Sequence, residues 1–249
     1  MILIQKEKVL GMDGSDSANR LVISCMDRRL SGYLDSKYND GKTLFLRNAG
    51  ANVKTLGNSI LSILKSNGIT KVVIAPHTDC GAMGYVEKVL TGAATPSPQL
   101  DEALVSQFKG SQHENRDELE RDVNPMTQRV EFDDAAGDSA DGIEVSTDLI
   151  EISKLEIPAH EGEHILTITR PSAIPYGDLL KRYSGVGMFD SYFVQSGSVS
   201  DVSPDIELAI TGLHISDVRL VSTGGEDLSK DLEYLKAQPY ASSARFSLL

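Results

Sequence analysis

The sequence predicts an α/β fold, a mostly parallel sheet flanked by helices, and three observations predict it. Leu21-Val22-Ile23-Ser24 and Lys71-Val72-Val73-Ile74-Ala75 are short apolar runs rich in β-branched residues, the composition of strands buried on both faces. Between them Leu56, Ile60, Ile63 and Leu64 recur at helical spacing. The pattern then returns. Leu166-Thr167-Ile168-Thr169 follows the first strand at an offset of 145, and Ile215 to Leu220 follows Ile69 to Ile74 at an offset of 146, in the same order.

Taken in order, the first strand closes on Cys25. Leu44-Phe45-Leu46 is a second strand, Thr55 to Ser66 a helix that Gly68 stops, and the third strand closes on Pro76-His77. Thr91 to Glu163 is too long for a plain loop. Its apolar residues from Leu100 to Met126 predict one or two acidic amphipathic helices, Asp133 to Gly142 has linker composition, and Ile143 to Ile157 has room for an edge strand. Phe193-Val194-Gln195-Ser196-Gly197 is a weaker counterpart of Phe45 to Gly50, and a helical stretch from Asp205 to Gly212 precedes the last predicted strand. The expected organisation is a first repeat over 1–95, an acidic helical insert and linker over 96–163, and a second repeat over 164–249.

Composition narrows the function classes. A net charge of -12 lacks the clustered Lys and Arg that phosphate neutralisation needs, which argues against a nucleic-acid partner. Residues 101–163 carry 18 acidic and 5 basic side chains, so the acidity belongs to one segment and says little about the site. No apolar stretch approaches the roughly 20 residues of a membrane span. The start, Met1 to Lys6, is too short for a secretory core, so the expected address is the cytoplasm. There the two cysteines read as free thiols or metal ligands.

The chemistry gathers where those cysteines fall. Cys25 closes the first strand, His77 closes the third, and Cys80 lies three residues beyond His77. Two thiolates and an imidazole at the carboxyl ends of neighbouring strands suit zinc, and three protein ligands leave the fourth tetrahedral position open, as in a catalytic site. Either cysteine alone would read as a small buried hydrophobe. The joint placement, with Asp27 and Arg29 after Cys25 and with Asp79 and Gly81 beside Cys80, favours a metal site.

Here the chain resembles a family. Cys25-Met26-Asp27-Arg28-Arg29 and His77-Thr78-Asp79-Cys80-Gly81 look like the paired CxDSR and HxxC motifs of β-class carbonic anhydrases, with Arg47-Asn48-Ala49-Gly50 like that family's RNAG segment. The clear likeness runs from about Arg20 to Leu90. It implies that Cys25, His77 and Cys80 are zinc ligands and that Asp27 and Arg29 form a catalytic pair beside the metal. The implied activity is reversible hydration of carbon dioxide to bicarbonate by zinc-bound hydroxide. Two thiolates cancel the charge of zinc, so water there is less acidified than in an all-histidine site, and alkaline pH is favoured. Some relatives hydrolyse carbon disulfide or carbonyl sulfide instead. A catalytically silent zinc-binding interaction or sensing module is the alternative outside enzymes, motivated by Arg28, which stands where the family has serine, by the acidic segment, and by the second repeat.

That second repeat lacks a ligand set. The offsets put Arg170 at the place of Cys25, Ser172 at Asp27, Ile174 at Arg29, Thr223 at His77 and Glu226 at Cys80. Since the family works as a dimer with sites near the interface, the implied arrangement is an intrachain pseudo-dimer with one working site, open to further self-association.

His160-Glu161-Gly162-Glu163-His164 satisfies H-E-x-x-H, but that metalloprotease mechanism needs a helix. Pro158, Gly162 and the strand that follows leave no room for one. His113 and His214 read as surface or packing residues, with His113 a proton shuttle only if the acidic segment covers the pocket.

Overall fold

The computed structural model describes residues 18–159, 164–179, 181 and 187–249. Eight strands form one sheet: β1 (Arg20–Cys25), β2 (Thr43–Asn48), β3 (Lys71–Ala75), β4 (Glu144–Thr147), β5 (Ile165–Thr169), β6 (Ser191–Gln195), β7 (Asp217–Val221) and β8 (Arg245–Leu248). The order is β4-β3-β1-β2-β6-β5-β7-β8. Every neighbouring pair is parallel except β2 and β6, which meet antiparallel at Arg47 and Gln195. From either edge inward, the strands run fourth, third, first, second of their half.

Helices cover the sheet: α1 (Ser31–Tyr38), α2 (Val53–Ser66) and α3 (Gly81–Leu90) follow the first three strands. In the middle lie α4 (Pro98–Ala103), α5 (Arg116–Glu118) and α6 (Asn124–Ala136). The second half carries α7 (Tyr176–Leu179), α8 (Ser203–Gly212) and α9 (Ser229–Lys236). α2 forms as its periodicity predicts. The Asn52 side chain caps it by accepting from Lys54 N, and Val53, Leu56, Ile60 and Ile63 make the buried face. That face serves both halves of the chain, because Ser59 of α2 reaches Ser196 and Gly197 beyond β6.

The middle segment departs from expectation in one respect. Asp133 to Gly142 is not a linker: α6 runs to Ala136, and a 3₁₀ turn spans Gly137–Ala140. Phe132 and Ala136 are buried, and Arg129 pairs with Asp133 one turn on, so apolar anchors outweigh a linker-like composition. The edge strand expected within Ile143 to Ile157 is β4, on β3. The His160 to Glu163 stretch lies outside the described residues, and β5 begins at Ile165.

The two halves share one apolar core. Phe45 of β2, Tyr176 of α7 and Phe193 of β6 pack with tilted rings, their centroids 5.2 Å apart at both contacts, and all three are buried. A chain truncated after residue 159 loses Tyr176 and Phe193 and turns β2 into a bare edge. Such a chain is expected to self-associate or aggregate; a monodisperse monomer by light scattering would contradict the shared core.

Candidate metal centre

Parallel pairing of β1 with β3 sets Ser24 beside Ala75, so the residues leaving both strands emerge side by side. Cys25, His77 and Cys80 therefore converge, with their ligand atoms all within 4.8 Å of one another. The Cys25 and Cys80 sulfurs are 3.9 Å apart, and all three residues are at most 3% exposed. His77 Nδ1 lies 2.8 Å from the Thr78 carbonyl oxygen. A carbonyl only accepts, so Nδ1 carries a proton, and in the neutral ring Nε2 presents its lone pair. That Nε2 is buried and has no hydrogen-bond partner. A buried orphan acceptor facing two free thiols is what a thiolate- and imidazole-binding cation would satisfy, and zinc fits this donor set.

The charges of the three groups depend on one another, and a thiolate at Cys25 favours the protonated His77 ring. Burial works against charge on Cys25, but the Cys80 hydrogen bond and the His77 charge hold its thiol well below the ordinary value. The bond to Cys25, together with burial, pushes Cys80 well above it. His77 is raised; burial opposes its charge, and the Cys25 thiolate overcomes that.

Hydrogen bonds on three sides hold the candidate ligands in place. Gly50, at φ +73°, sends its N–H to the Cys25 sulfur at 3.3 Å. A Cβ there would sit 2.9 Å from the terminal methyl of Met83, which a flexible side chain can move, so it is the positive φ that calls for glycine. Around Cys80, Glu120 accepts from the backbone N–H of Asp79 at 2.6 Å and of Cys80 at 2.8 Å. Arg116, paired with Glu120 at 2.7 Å, donates to the Cys80 carbonyl at 2.8 Å. The third side is Ile150, which exchanges hydrogen bonds with Thr78 and Pro76 and so anchors the loop at His77.

Asp27 is 5% exposed and gripped by Arg29, whose Nε and Nη2 reach its two oxygens at 2.7 to 3.1 Å. Burial works against the charge, but Arg29 and the His77 charge hold the Asp27 carboxyl below its ordinary value. One carboxylate oxygen lies 4.0 Å from His77 Nε2. Arg29 is held in turn by Asp79, through carboxylate and carbonyl. Arg28 does not compete: its guanidinium donates to the Phe189 carbonyl at 2.8 Å. Beneath these residues Arg47, fully buried, donates to the Cys25 and Asp27 carbonyls and to the Ser31 hydroxyl, with Tyr176 and Phe193 packed on its plane.

A cavity of about 270 Å³ opens over the group. Cys25, Asp27 and Arg29 line it, Arg116 enters from the middle segment, and Tyr192 and Leu213 come from the second half. Sequence reasoning missed these last three together with Glu120. Arg116 and Glu120 sit in an acidic run that reads as solvated, and nothing in the apolar pattern marks Tyr192 or Leu213 as pocket residues. His113 bonds Ser111 and His214 adopts φ +57°; neither lines the cavity. In the second half, Arg170 at the place of Cys25 binds the Gly197 carbonyl and pairs with Asp231.

Fold and site define an α/β protein with a Cys-His-Cys group able to hold a metal at the carboxyl ends of parallel strands. Residues 20–139, just under half of the chain, match the family described as carbonic anhydrase, and they include the motifs that carry the resemblance in the sequence. The match continues through the segment read from sequence as an insert as far as α6. Curated protein sequences give no match. Similar solved structures include β-carbonic anhydrase isoform I of Trichomonas vaginalis, 15% identical over 59% of this chain and 84% of that one, with a TM-score of 0.42. The carbonic anhydrase of Streptococcus mutans is 20% identical over 59% and 84%, TM-score 0.40. A carbon disulfide hydrolase is 14% identical over 61% and 82%, TM-score 0.33.

Asp205 of α8 gives the site a pH signature. Burial pushes its carboxyl up to about 8, against the Ala49 N–H that it accepts. The folded chain then keeps a proton that the unfolded chain releases near 3.8, so stability falls as pH rises between those values. Asp205→Asn removes that dependence. Its stability relative to the native chain should climb from pH 4 to pH 8 in urea unfolding at fixed metal load, and a flat difference would contradict a buried, protonated Asp205.

Proposed function

We propose that this protein is a zinc-dependent carbonic anhydrase that interconverts carbon dioxide and bicarbonate at the Cys25, His77 and Cys80 centre, with Asp27 and Arg29 as the catalytic pair. The observation carrying the reading is the unpartnered, buried His77 Nε2 facing two free thiols beside an ionised Asp27. Zinc held there would supply the Lewis acidity that acidifies water for attack on carbon dioxide. The chain's own residues do the rest. Asp27, with Arg29 on both oxygens, is an oriented acceptor that aligns a water by taking its hydrogen bond. The Arg29 grip also keeps that carboxylate from turning into the metal position. Met26, Ala82 and Leu213 give the cavity an apolar wall suited to carbon dioxide, and the Arg29 and Arg116 guanidiniums suit the bicarbonate anion.

The proposal extends to the organisation of the chain. The two halves, 1–95 and 164–249, act as a pseudo-dimer in which the second lends Tyr192 and Leu213 to one working site, with 96–163 between them. The mirrored strand order and the Arg170–Asp231 pair, which fills the corresponding position in place of ligands, support it. Two free cysteines suit the cytoplasm, and among the described residues no helix is long and apolar enough to cross a membrane.

Metal analysis is expected to give one zinc per chain, falling towards zero in Cys80→Ala; a ratio near two would remove the single-site reading. Zinc-loaded protein should hydrate carbon dioxide faster at alkaline pH. Turnover of carbon disulfide or carbonyl sulfide without carbon dioxide would reassign the substrate, and zinc binding without any turnover would favour the silent module. Arg29→Ala should keep its zinc and lose turnover by about 100-fold or more, the scale of a positioned acid–base group. Unchanged turnover would take the pair out of the mechanism.

A further inference from the structure

A buried carboxyl group from the second half reaches the candidate metal centre of the first without touching a candidate ligand. Asp205, in the first turn of α8 and 3% exposed, accepts from Ala49 N at 2.9 Å, and its other oxygen lies 3.4 Å from the Thr55 hydroxyl. The next peptide, Gly50 N–H, is the donor to the Cys25 sulfur. Holding the amide of Ala49 therefore fixes the plane and direction of the turn whose following amide aims at Cys25. A hydrogen bond onto a thiolate lowers the electron density that the sulfur gives to a metal, so this turn sets both the position and the donor strength of Cys25.

The molecule carries its own control. Ser59 of α2, 4% exposed, accepts from Gly197 N at 3.0 Å, in the turn that follows β6 as the Ala49 turn follows β2. The two bonds cross the same seam in opposite directions, and only one of them leads to a ligand cysteine.

We infer that Asp205 is a positioning residue for the Cys25 ligand, acting across the seam through the Ala49–Gly50 turn. The inference rests on Cys25 as a metal ligand. It assigns the second half a role beyond walling the cavity: holding the ligand turn in register.

The test loads the metal-free full chain with cobalt(II) alone and reads the thiolate-to-cobalt charge-transfer band and the cobalt affinity. In Asp205→Ala the band should move to lower energy and the affinity fall by about 10- to 100-fold, as for loss of other supports behind a ligand. Asp205→Asn keeps an oxygen to accept from Ala49 N–H, the bond that leads to Cys25, and should hold the band in place with affinity within about twofold. Ser59→Ala deletes the mirror bond and should leave the band unmoved, which separates positioning from general loosening of the seam. If Asp205→Ala does not fold, Asp205→Leu fills the volume without the acceptor and should shift the band in the same way. A native band in the Ala or Leu variant, or an equal shift in Ser59→Ala, would overturn the inference. Cobalt bound by the native chain without any thiolate band would overturn the metal-centre reading on its own.

Discussion

The buried guanidinium of Arg47 is the interaction on which the rest of this structure depends. A charge at 0% exposure is expensive unless its donors are satisfied, and here the donors dictate where other segments can lie. Two of them reach the carbonyls of Cys25 and Asp27, pinning the turn that carries one candidate ligand and the candidate catalytic carboxylate. The flat faces of Tyr176 and Phe193, more than 120 residues further on, close over the same group. One side chain thus joins the turn after β1, the strand β2 and the second half of the chain, at the point where β2 meets β6.

Around that anchor the centre is held mainly by backbone contacts. Gly50 faces the Cys25 sulfur, Glu120 and Arg116 take the amide and carbonyl of Cys80, and the chain at Ile150 zips against the loop that carries His77. Held at their peptides in this way, Cys25, His77 and Cys80 keep their candidate ligand atoms within 4.8 Å of one another. The unpartnered His77 Nε2 is the cost of that preorganisation: a buried acceptor is kept without a hydrogen bond, where only a cation or a donor from the cavity can satisfy it.

The halves of the sheet share a strand order but not a chemistry. Where the first half brings Cys25, the second brings Arg170, and a guanidinium paired with Asp231 stabilises by charge what the first half leaves for a ligand. The same divergence appears at the seam, where Ser59 holds one turn and Asp205 the other. A carboxyl buried to that degree resists ionisation, so Asp205 sits as a near-neutral acceptor through most of the physiological range.

Much of this was legible in the sequence. Apolar runs marked β1, β3, β5 and β7 because strands covered on both faces need continuous hydrophobicity, and the placement of Cys25, His77 and Cys80 at strand ends pointed to one cluster because parallel neighbours end together. The resemblance singled out Asp27 and Arg29 as a pair. Only the tertiary structure decided what surrounds that cluster: Glu120 and Arg116 on the Cys80 peptide, Tyr192 and Leu213 on the cavity, Asp205 behind the Gly50 turn, and Arg28 turned to Phe189. It also turned a linker-like stretch into the end of α6, because Phe132 and Ala136 found a core to fill. The reason is physical. Periodicity and strand-end chemistry are local properties written within a few residues, whereas these contacts join residues 36 to 161 positions apart, and packing alone determines which of them meet.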